Sequence, residues 1–389
     1  MTIKDFINIS KSSFMNFDFL CQFILEHDSL EIAKFSMINK GSYSHELNDV
    51  DVQHYAINTY EGIFKTPFVG GATLWDCIVD LKQNLDKYVW LYNILEDQLS
   101  KDTLLRIMVY RIFMEIETLN ECFVKRQYFI PDILPKRENA VFVDCGAFDG
   151  ETVKQFIEVY GEDYQKIYAY EPVPKNYDLV CESLKDYDNV IAFNKGVAGE
   201  QAEMRFTSHL ADTGNRIHPS GDKVVPISTI DEDISEPITF LKMDIEGAEQ
   251  DALLGSKAHI IQDKPQLAIC VYHTIQDIWK IPYIIYSFNK YQKFNLRYHG
   301  IDNQEEIVFY ADPYTEDSLQ QIKSLVDKKS IKETLTKIDQ LTQTIQEGIS
   351  YVSIKLDQDD FSSSKEMIEL IKEALLTSIS NIDDIRNNM

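Results

Sequence analysis

The stretch that decides the fold is Val141-Phe142-Val143-Asp144-Cys145-Gly146-Ala147-Phe148-Asp149-Gly150-Glu151-Thr152. A short apolar run ends at Asp144 and Cys145, a glycine turn follows, and a helical pattern begins near Thr152. This order is typical of a buried strand that feeds a tight turn and then a helix. Glycine lets backbone approach a ligand because it has no Cβ, and a helix N-terminus offers N–H groups to a carboxylate or a phosphate.

The spacing within this stretch indicates which ligand the turn would bind. A dinucleotide site would have Gly-x-Gly-x-x-Gly, whereas Asp144 occupies the first glycine position here, and three residues separate Gly146 from Gly150. The pattern fits a ligand without a pyrophosphate, such as S-adenosylmethionine, whose methionine end carries an ammonium and a carboxylate. Asp144 can accept hydrogen bonds from that ammonium or from a hydroxyl. The alternative is a glycine turn that closes an ordinary βα unit.

Two further stretches repeat the pattern of a strand followed by an acidic residue. Ile167-Tyr168-Ala169-Tyr170-Glu171-Pro172 places Glu171 27 residues after Asp144, where a Rossmann-like sheet binds ribose hydroxyls. The run Ile238-Thr239-Phe240-Leu241-Lys242-Met243 ends at Asp244, and the acidic turn Asp244-Ile245-Glu246-Gly247-Ala248-Glu249 leads into another helix. These strand ends are expected to lie side by side at one edge of a sheet.

Together these motifs resemble the FkbM family of S-adenosylmethionine-dependent methyltransferases. The matching residues are the 143–152 stretch, Tyr170-Glu171-Pro172, Lys242-Met243-Asp244-Ile245-Glu246-Gly247-Ala248-Glu249 and Ile269-Cys270-Val271-Tyr272-His273, within a region from about Gln127 to Ala311. The resemblance implies a class I methyltransferase fold, which is a doubly wound, mostly parallel, seven-stranded α/β sheet. It also implies O-methylation, often of a sugar or a polyketide hydroxyl. We expect Asp144, Gly146, Ala147, Gly150, Thr152, Glu171 and Asp244 to bind the cofactor.

Composition limits the possible partners and compartments. The 389 residues have a formal net charge of −25, which disfavours nucleic acid and anionic membranes, and an apolar fraction of 44%, which is that of a globular protein. The six cysteines are scattered without a Cys-x-x-Cys pair, which argues against zinc and for a reducing cytoplasm. We expect no signal peptide and no membrane span.

The chain is expected to have three parts: a helical lead-in over 1–130, a methyltransferase domain over 131–312 and a helical extension over 313–389. The lead-in ends in Gln127-Tyr128-Phe129, whose aromatic rings either close over the ligand or pack the lead-in onto the sheet. Strands are expected at 141–145, 167–171, 189–193, 238–243 and 266–272, with a final hairpin near 295–298 and 306–310. The segment 201–226 is expected to be a polar loop, in which Arg216 either binds an anionic acceptor or is solvated.

Three residues are candidates for removing the proton from an acceptor hydroxyl: Asp244, Glu246 and His273. We assign Asp244 to the cofactor amine or to orienting the acceptor, and His273 to the general base, since the ordinary pKa of histidine, about 6.5, suits that work. Asp244, Glu246 and another oxygen ligand could instead hold a divalent metal such as Mg²⁺, and no metal ligand is assigned.

These observations favour an O-methyltransferase acting on a saccharide or another small-molecule acceptor. Two alternatives stay open: methylation of a protein, a peptide or a carrier-linked glycan, and a non-catalytic binding or assembly protein that retains the nucleoside pocket. The C-terminal extension carries a heptad-like apolar stripe at Leu335, Ile338, Ile345, Ile349, Val352 and Leu356. This stripe makes self-association through the C-terminal helices an expectation.

Overall fold

The structure is a computed structural model that describes residues 16–39, 73–161, 164–206, 223–289 and 292–313. The extension predicted for 313–389 therefore lies outside the described residues from residue 314 onward. The loop arginine Arg216 also lies outside them. The described residues all belong to one compact unit that ends at Pro313.

A seven-stranded sheet forms the centre of this unit. The strands of the unit are β1 Ala140–Cys145, β2 Tyr164–Tyr170, β3 Val190–Phe193, β4 Gly196–Val197, β5 Ala202–Phe206, β6 Lys223–Ser228, β7 Phe240–Met243, β8 Gln266–Cys270, β9 Gln292–Tyr298 and β10 Ile307–Pro313. The seven-stranded sheet has the order β3-β2-β1-β7-β8-β10-β9, in which β10 runs antiparallel to both neighbours. The pairs from β3 to β8 are parallel. This arrangement confirms the predicted class I methyltransferase fold.

The helices of the described residues precede, connect and flank these strands. They are α1 Phe17–Glu26, α2 Ser29–Asn39, α3 Leu74–Gln83, α4 Leu85–Ile94, α5 Gln98–Phe113, α6 Glu117–Asn120, α7 Glu151–Tyr160, α8 Pro174–Leu184, α9 Ile230–Asp233, α10 Glu249–Leu254, α11 Lys257–Gln262 and α12 Asp277–Phe288. None of them combines the length and the apolar character that crossing a bilayer requires.

Aromatic residues pack one face of the central strands. Phe142 on β1 stacks on Phe156 of α7 with ring centroids 4.3 Å apart, and Phe129 packs edge-on against both rings at 5.5–5.6 Å. Phe240 on β7 completes the cluster, 5.4 Å from Phe129. Each buried aromatic side chain removes a large apolar area from water, so this cluster fixes β1 and the turn that follows it.

The lead-in helices are joined to the far edge of the sheet. Asp97 caps α5 by accepting the Ser100 N–H at 2.8 Å, and its carboxylate binds the guanidinium of Arg297 on β9 at 2.5 Å. The sequence pattern predicts a break over Ser100–Thr103 and a helix from Leu104. This prediction is wrong, because the Asp97 cap starts α5 at Gln98 and the polar residues lie within its first turns.

The segment 201–226 is not a loop throughout. β5 and β6 form an antiparallel pair from Ala202–Ile227 to Phe206–Lys223, and β4 joins β6 in parallel to make a second, three-stranded sheet. The expectation of a polar loop is therefore wrong at both ends of the segment. The β-branched residues Val224, Val225 and Ile227 favour a strand, which the polar centre of the segment obscures in the sequence.

Candidate active site

The glycine turn after β1 is closed tightly against the neighbouring strands. Gly146 has φ 85°, and a Cβ there would lie 1.9 Å from the carbonyl oxygen of Asp244, so only glycine fits. The N–H groups of Gly146 and Ala147 both donate to the Tyr170 carbonyl at 3.0 Å. Gly150, also at φ 85°, precedes α7. The turn thus brings the ends of β1, β2 and β7 together.

The helix after this turn starts beside the site. Its N-cap, Gly150, has no side-chain capping bond, and the half-buried Thr152 is its second residue. The first turn of a helix has N–H groups without an intrahelical acceptor, which suits an anionic group on a ligand. The turn and the start of α7 therefore hold four of the predicted cofactor residues close together: Gly146, Ala147, Gly150 and Thr152.

Glu171 directly follows β2, and only 4% of it is exposed. Its Oε2 accepts the Phe148 N–H at 2.9 Å and its Oε1 accepts the Val173 N–H at 2.8 Å. Burial raises the pKa of this carboxyl, while the two backbone bonds favour the charged form. The Asn176 side chain also donates a hydrogen bond to this carboxylate. Since a carboxylate accepts about four hydrogen bonds, the three donors hold Glu171 in one orientation and leave capacity for about one hydroxyl group.

A buried ion pair lies under the turn. The ammonium of Lys242 on β7 is 2.9 Å from Asp144 Oδ1, and both side chains are almost completely buried. The same ammonium donates to the carbonyls of Gly146 at 2.9 Å and Cys145 at 3.3 Å. Burial acts to lower the pKa of Lys242, but Asp144 and Asp244 outweigh it and raise that pKa. Lys242 is therefore a cation, and in this structure it supplies the ammonium that Asp144 binds.

Lys242 is a site residue that the sequence motifs did not single out. The available signal was a lysine within the otherwise apolar strand run Phe240-Leu241-Lys242-Met243, in which every residue is buried. A lysine in such a position requires a paired acid, because an isolated buried charge is very costly.

Asp244 receives several donors at the end of β7. Its Oδ2 accepts the Tyr128 hydroxyl at 2.9 Å, and its Oδ1 accepts the Tyr272 hydroxyl at 3.1 Å. Burial acts to raise the pKa of Asp244, but Lys242, His273 and the two hydroxyls outweigh it and hold the pKa below its usual value. Of the two aromatic residues that end the lead-in, Tyr128 thus reaches the site, whereas Phe129 packs in the core.

His273 lies between two carboxylates, three positions beyond the end of β8 at Cys270. Its Nδ1 lies 2.9 Å from Glu249 Oε1 and its Nε2 lies 3.4 Å from Asp244 Oδ1. Burial acts to lower the pKa of His273, but Glu249, Asp244 and Glu246 outweigh it and raise the pKa to about 9. The imidazole is therefore protonated at neutral pH and bridges the two carboxylates.

Glu249 is the second residue that the sequence motifs did not place in the site. It begins α10, is fully buried, and accepts the Ile245 N–H at 2.7 Å with the oxygen that faces His273. Glu246, one of the three candidates, has a side chain that is 61% exposed, and its Oε2 is 4.0 Å from His273 Nε2. The structure thus brings Asp244 and His273 together and leaves Glu246 at the rim.

The groups around His273 are also the possible ligands of a metal ion. Asp244, Glu249 and His273 each offer one ligand atom within 4.8 Å of the others. The sequence pattern instead indicates Asp244 and Glu246 as the possible metal ligands. With His273 protonated, its charge neutralises part of the negative charge of Asp244 and Glu249, and a metal would have to displace that proton.

Comparisons with known proteins agree with this architecture. The family profile described as the methyltransferase FkbM domain matches residues 144–307. The solved structure of an FkbM methyltransferase from Methylobacillus flagellatus is 25% identical, with a TM-score of 0.54; the match covers 62% of this chain and 63% of that one, less than two thirds of its length. A comparison with curated proteins finds no match.

Two other solved structures are more distant. Fibrillarin from Aeropyrum pernix, solved with natively bound S-adenosyl-L-methionine, is 13% identical with a TM-score of 0.31, over 46% of this chain and 68% of that one. An rRNA methylase from Streptococcus thermophilus is 15% identical with a TM-score of 0.32, over 47% of this chain and 91% of that one. These two likenesses carry no argument about function. From the matched profile, the motifs and the sheet order, the segment 144–307 of this chain is a methyltransferase domain of the FkbM family.

Proposed function

We propose that this protein is an S-adenosylmethionine-dependent O-methyltransferase whose acceptor is a hydroxyl of a saccharide or another small molecule. The observation that carries the proposal is the juxtaposition of the Gly146 turn, Glu171 and Asp244 at the carboxyl ends of three adjacent strands. This is the edge at which α/β sheets bind their ligands. The FkbM domain match supports methyl transfer.

The residues present fit this cofactor. Glu171, held by two backbone N–H groups and the Asn176 side chain, has acceptor capacity left for about one hydroxyl of a ribose diol. Gly146 and Gly150 offer backbone without a side chain in the way, and α7 offers its N-terminus to the methionine carboxylate. When bound, the cofactor supplies an activated methyl group on a sulfonium, so the chain mainly has to orient the acceptor. Orientation alone can supply roughly 7–11 kcal/mol.

Proton removal from the acceptor falls to the group around Asp244. His273 and Asp244 lie at the ends of neighbouring strands, 3.4 Å apart, so both can reach one acceptor hydroxyl. Asp244 is an anion that can accept a hydrogen bond and orient the hydroxyl. His273 in its neutral form can accept the proton, and Glu249 on its other nitrogen stabilises the resulting imidazolium.

A macromolecular acceptor is the alternative. Methylation of a protein, a peptide or a carrier-linked glycan would use the same cofactor residues, and a non-catalytic binding protein would use them without turnover. Release of S-adenosylhomocysteine in the presence of a small acceptor separates the leading proposal from both alternatives.

Calorimetry with purified protein tests the cofactor assignment. S-adenosylmethionine should bind and NAD should not. Glu171→Ala should weaken the binding of S-adenosylmethionine at least about tenfold, because a hydrogen bond to a charged acceptor is lost. Glu182→Ala on α8 is the matched control, since its carboxylate is exposed and pairs with Lys185, which is also exposed. Equal affinities of the two variants would refute the role of Glu171, and binding of NAD alone would refute the proposal.

A further inference from the structure

Tyr128, near the end of the lead-in, lies across the end of β7. Its ring is 5.3 Å from the Lys242 ammonium, and its hydroxyl donates to Asp244 Oδ2 at 2.9 Å. Only 6% of Tyr128 is exposed, whereas 24% of the Asp244 side chain is exposed. An acceptor that enters from solvent therefore reaches Asp244, and Tyr128 acts on that acceptor through Asp244.

The orientation of the Asp244 carboxylate depends on its hydrogen bonds, because the torsion about the Cβ–Cγ bond of an aspartate has only a broad preference. One tyrosine hydroxyl holds each oxygen: Tyr272 donates to Oδ1 at 3.1 Å, and Tyr128 donates to Oδ2. Oδ1 also lies 3.4 Å from His273 Nε2. With the Tyr272 bond alone, the carboxylate can turn about that contact. The Tyr128 hydroxyl therefore sets the direction in which the carboxylate faces.

The position of Tyr128 is itself fixed by a chain of hydrogen bonds among buried side chains. Tyr128 has φ 57°, in the left-handed region that a bulky residue rarely adopts, and its N–H donates to the Tyr310 hydroxyl at 3.0 Å. The Tyr310 proton is then left for His299 Nε2 at 2.8 Å, and the His299 proton on Nδ1 faces the Val124 carbonyl at 2.7 Å. Burial lowers the pKa of His299 to about 4, so the ring is neutral and accepts the Tyr310 bond.

We propose that Tyr128 is a positioning residue of the active site: its hydroxyl fixes the rotation of the Asp244 carboxylate beside His273 and so orients the acceptor hydroxyl. The proposal rests on the function proposed above and adds how the lead-in takes part in it. Tyr128 precedes the segment 144–307 that matches the family profile. Since a misplacement of about 1 Å can cost roughly 10²-fold in rate, a residue that touches no reacting atom can determine the rate in this way.

Crystal structures of the ligand-free protein test the geometry without an acceptor. Tyr128→Phe keeps the ring and removes the hydroxyl, so the Asp244 carboxylate should turn and Oδ1 should move by about 1 Å relative to the His273 ring. Tyr168→Phe is the matched control, because the Tyr168 hydroxyl also donates to a carboxylate, that of Glu236, which precedes β7 at the opposite end of the strand from Asp244. Asp244 should keep its wild-type position in this control. An Asp244 carboxylate that also keeps that position in Tyr128→Phe would overturn the proposal.

Kinetics separates positioning from packing. The acceptors are methyl glycosides of neutral hexoses, and the assay is the release of S-adenosylhomocysteine from S-adenosylmethionine. In Tyr128→Phe, kcat should fall at least about tenfold, while KM for the glycoside and the affinity for S-adenosylmethionine stay within about twofold of the wild type. A ring that only packs would be replaced by phenylalanine without loss, so a wild-type kcat in Tyr128→Phe would overturn the positioning role.

The outcomes also separate this inference from the proposed function. Failure of the wild type to bind S-adenosylmethionine in calorimetry would contradict the proposed function itself. Failure to methylate any of the glycosides would contradict the proposed acceptor class. In both cases the ligand-free crystal structures still decide whether Tyr128 positions Asp244.

Discussion

His273 lies between Asp244 and Glu249, and its raised pKa of about 9 determines how it can act. A general base must be deprotonated, and below pH 9 the neutral fraction of this imidazole rises about tenfold per pH unit. If His273 takes the acceptor proton, kcat should therefore climb from pH 7 and level off above about pH 9. Initial rates across this range, measured with the acceptor that turns over, check the expectation.

Replacement of this residue gives the matching test. His273→Ala should lower kcat about 10²-fold or more, remove the ionisation from the profile and leave cofactor affinity nearly unchanged. His27→Ala, at the C-terminal end of α1 in the lead-in, serves as the control. If the variant keeps the wild-type pH profile, His273 is not the general base, and Asp244, Glu246 or a metal would have that role instead. In the case of a metal, its removal by EDTA would abolish activity.

At the scale of elements, Arg111 joins helix α5 to the loop that carries Tyr272 and His273. Its guanidinium contacts the Tyr88 hydroxyl, Asp80 and the Ile275 carbonyl, and both members of the Arg111–Asp80 pair are buried. Arg111→Met should lower the free energy of unfolding by about 3–5 kcal/mol, because it leaves Asp80 buried without its cation. Arg106→Met on the same helix breaks only a partly exposed pair with Glu121 and should cost less than about 1 kcal/mol. Urea unfolding of both variants checks the difference, and equal losses would contradict it.

At the scale of the whole molecule, the residues after Pro313 carry the heptad-like stripe expected to support self-association or carrier docking. A chain that ends at Pro313 retains all of β10 and therefore the complete seven-stranded sheet. It should bind S-adenosylmethionine like the full chain but lose the oligomer or the activity on the natural acceptor. Light scattering, calorimetry and activity assays check these three properties. A monomeric full chain and an undiminished truncated enzyme would together contradict the expectation.

The sequence motifs predicted the fold class well because each motif is local. A strand that ends in an acid and a glycine turn can be recognised from residues such as Asp144 and Gly146, and the parallel sheet places those ends together. Contacts between distant residues could not be recognised in this way. The pairing of Lys242 with Asp144, the bond from Tyr128 to Asp244 and the position of Glu249 behind His273 join parts of the chain whose relative placement only the fold decides.

The Lys242–Asp144 ion pair limits how this sequence can drift in evolution. Loss of either partner alone would leave an unpaired charge buried in the sheet and lower the free energy of unfolding by about 3–5 kcal/mol. Replacement of both partners by apolar residues of similar volume can leave that stability unchanged. Neither position can therefore change freely while the other stays. The two are expected to be inherited as a unit, and an orthologous chain without the lysine should also lack the aspartate.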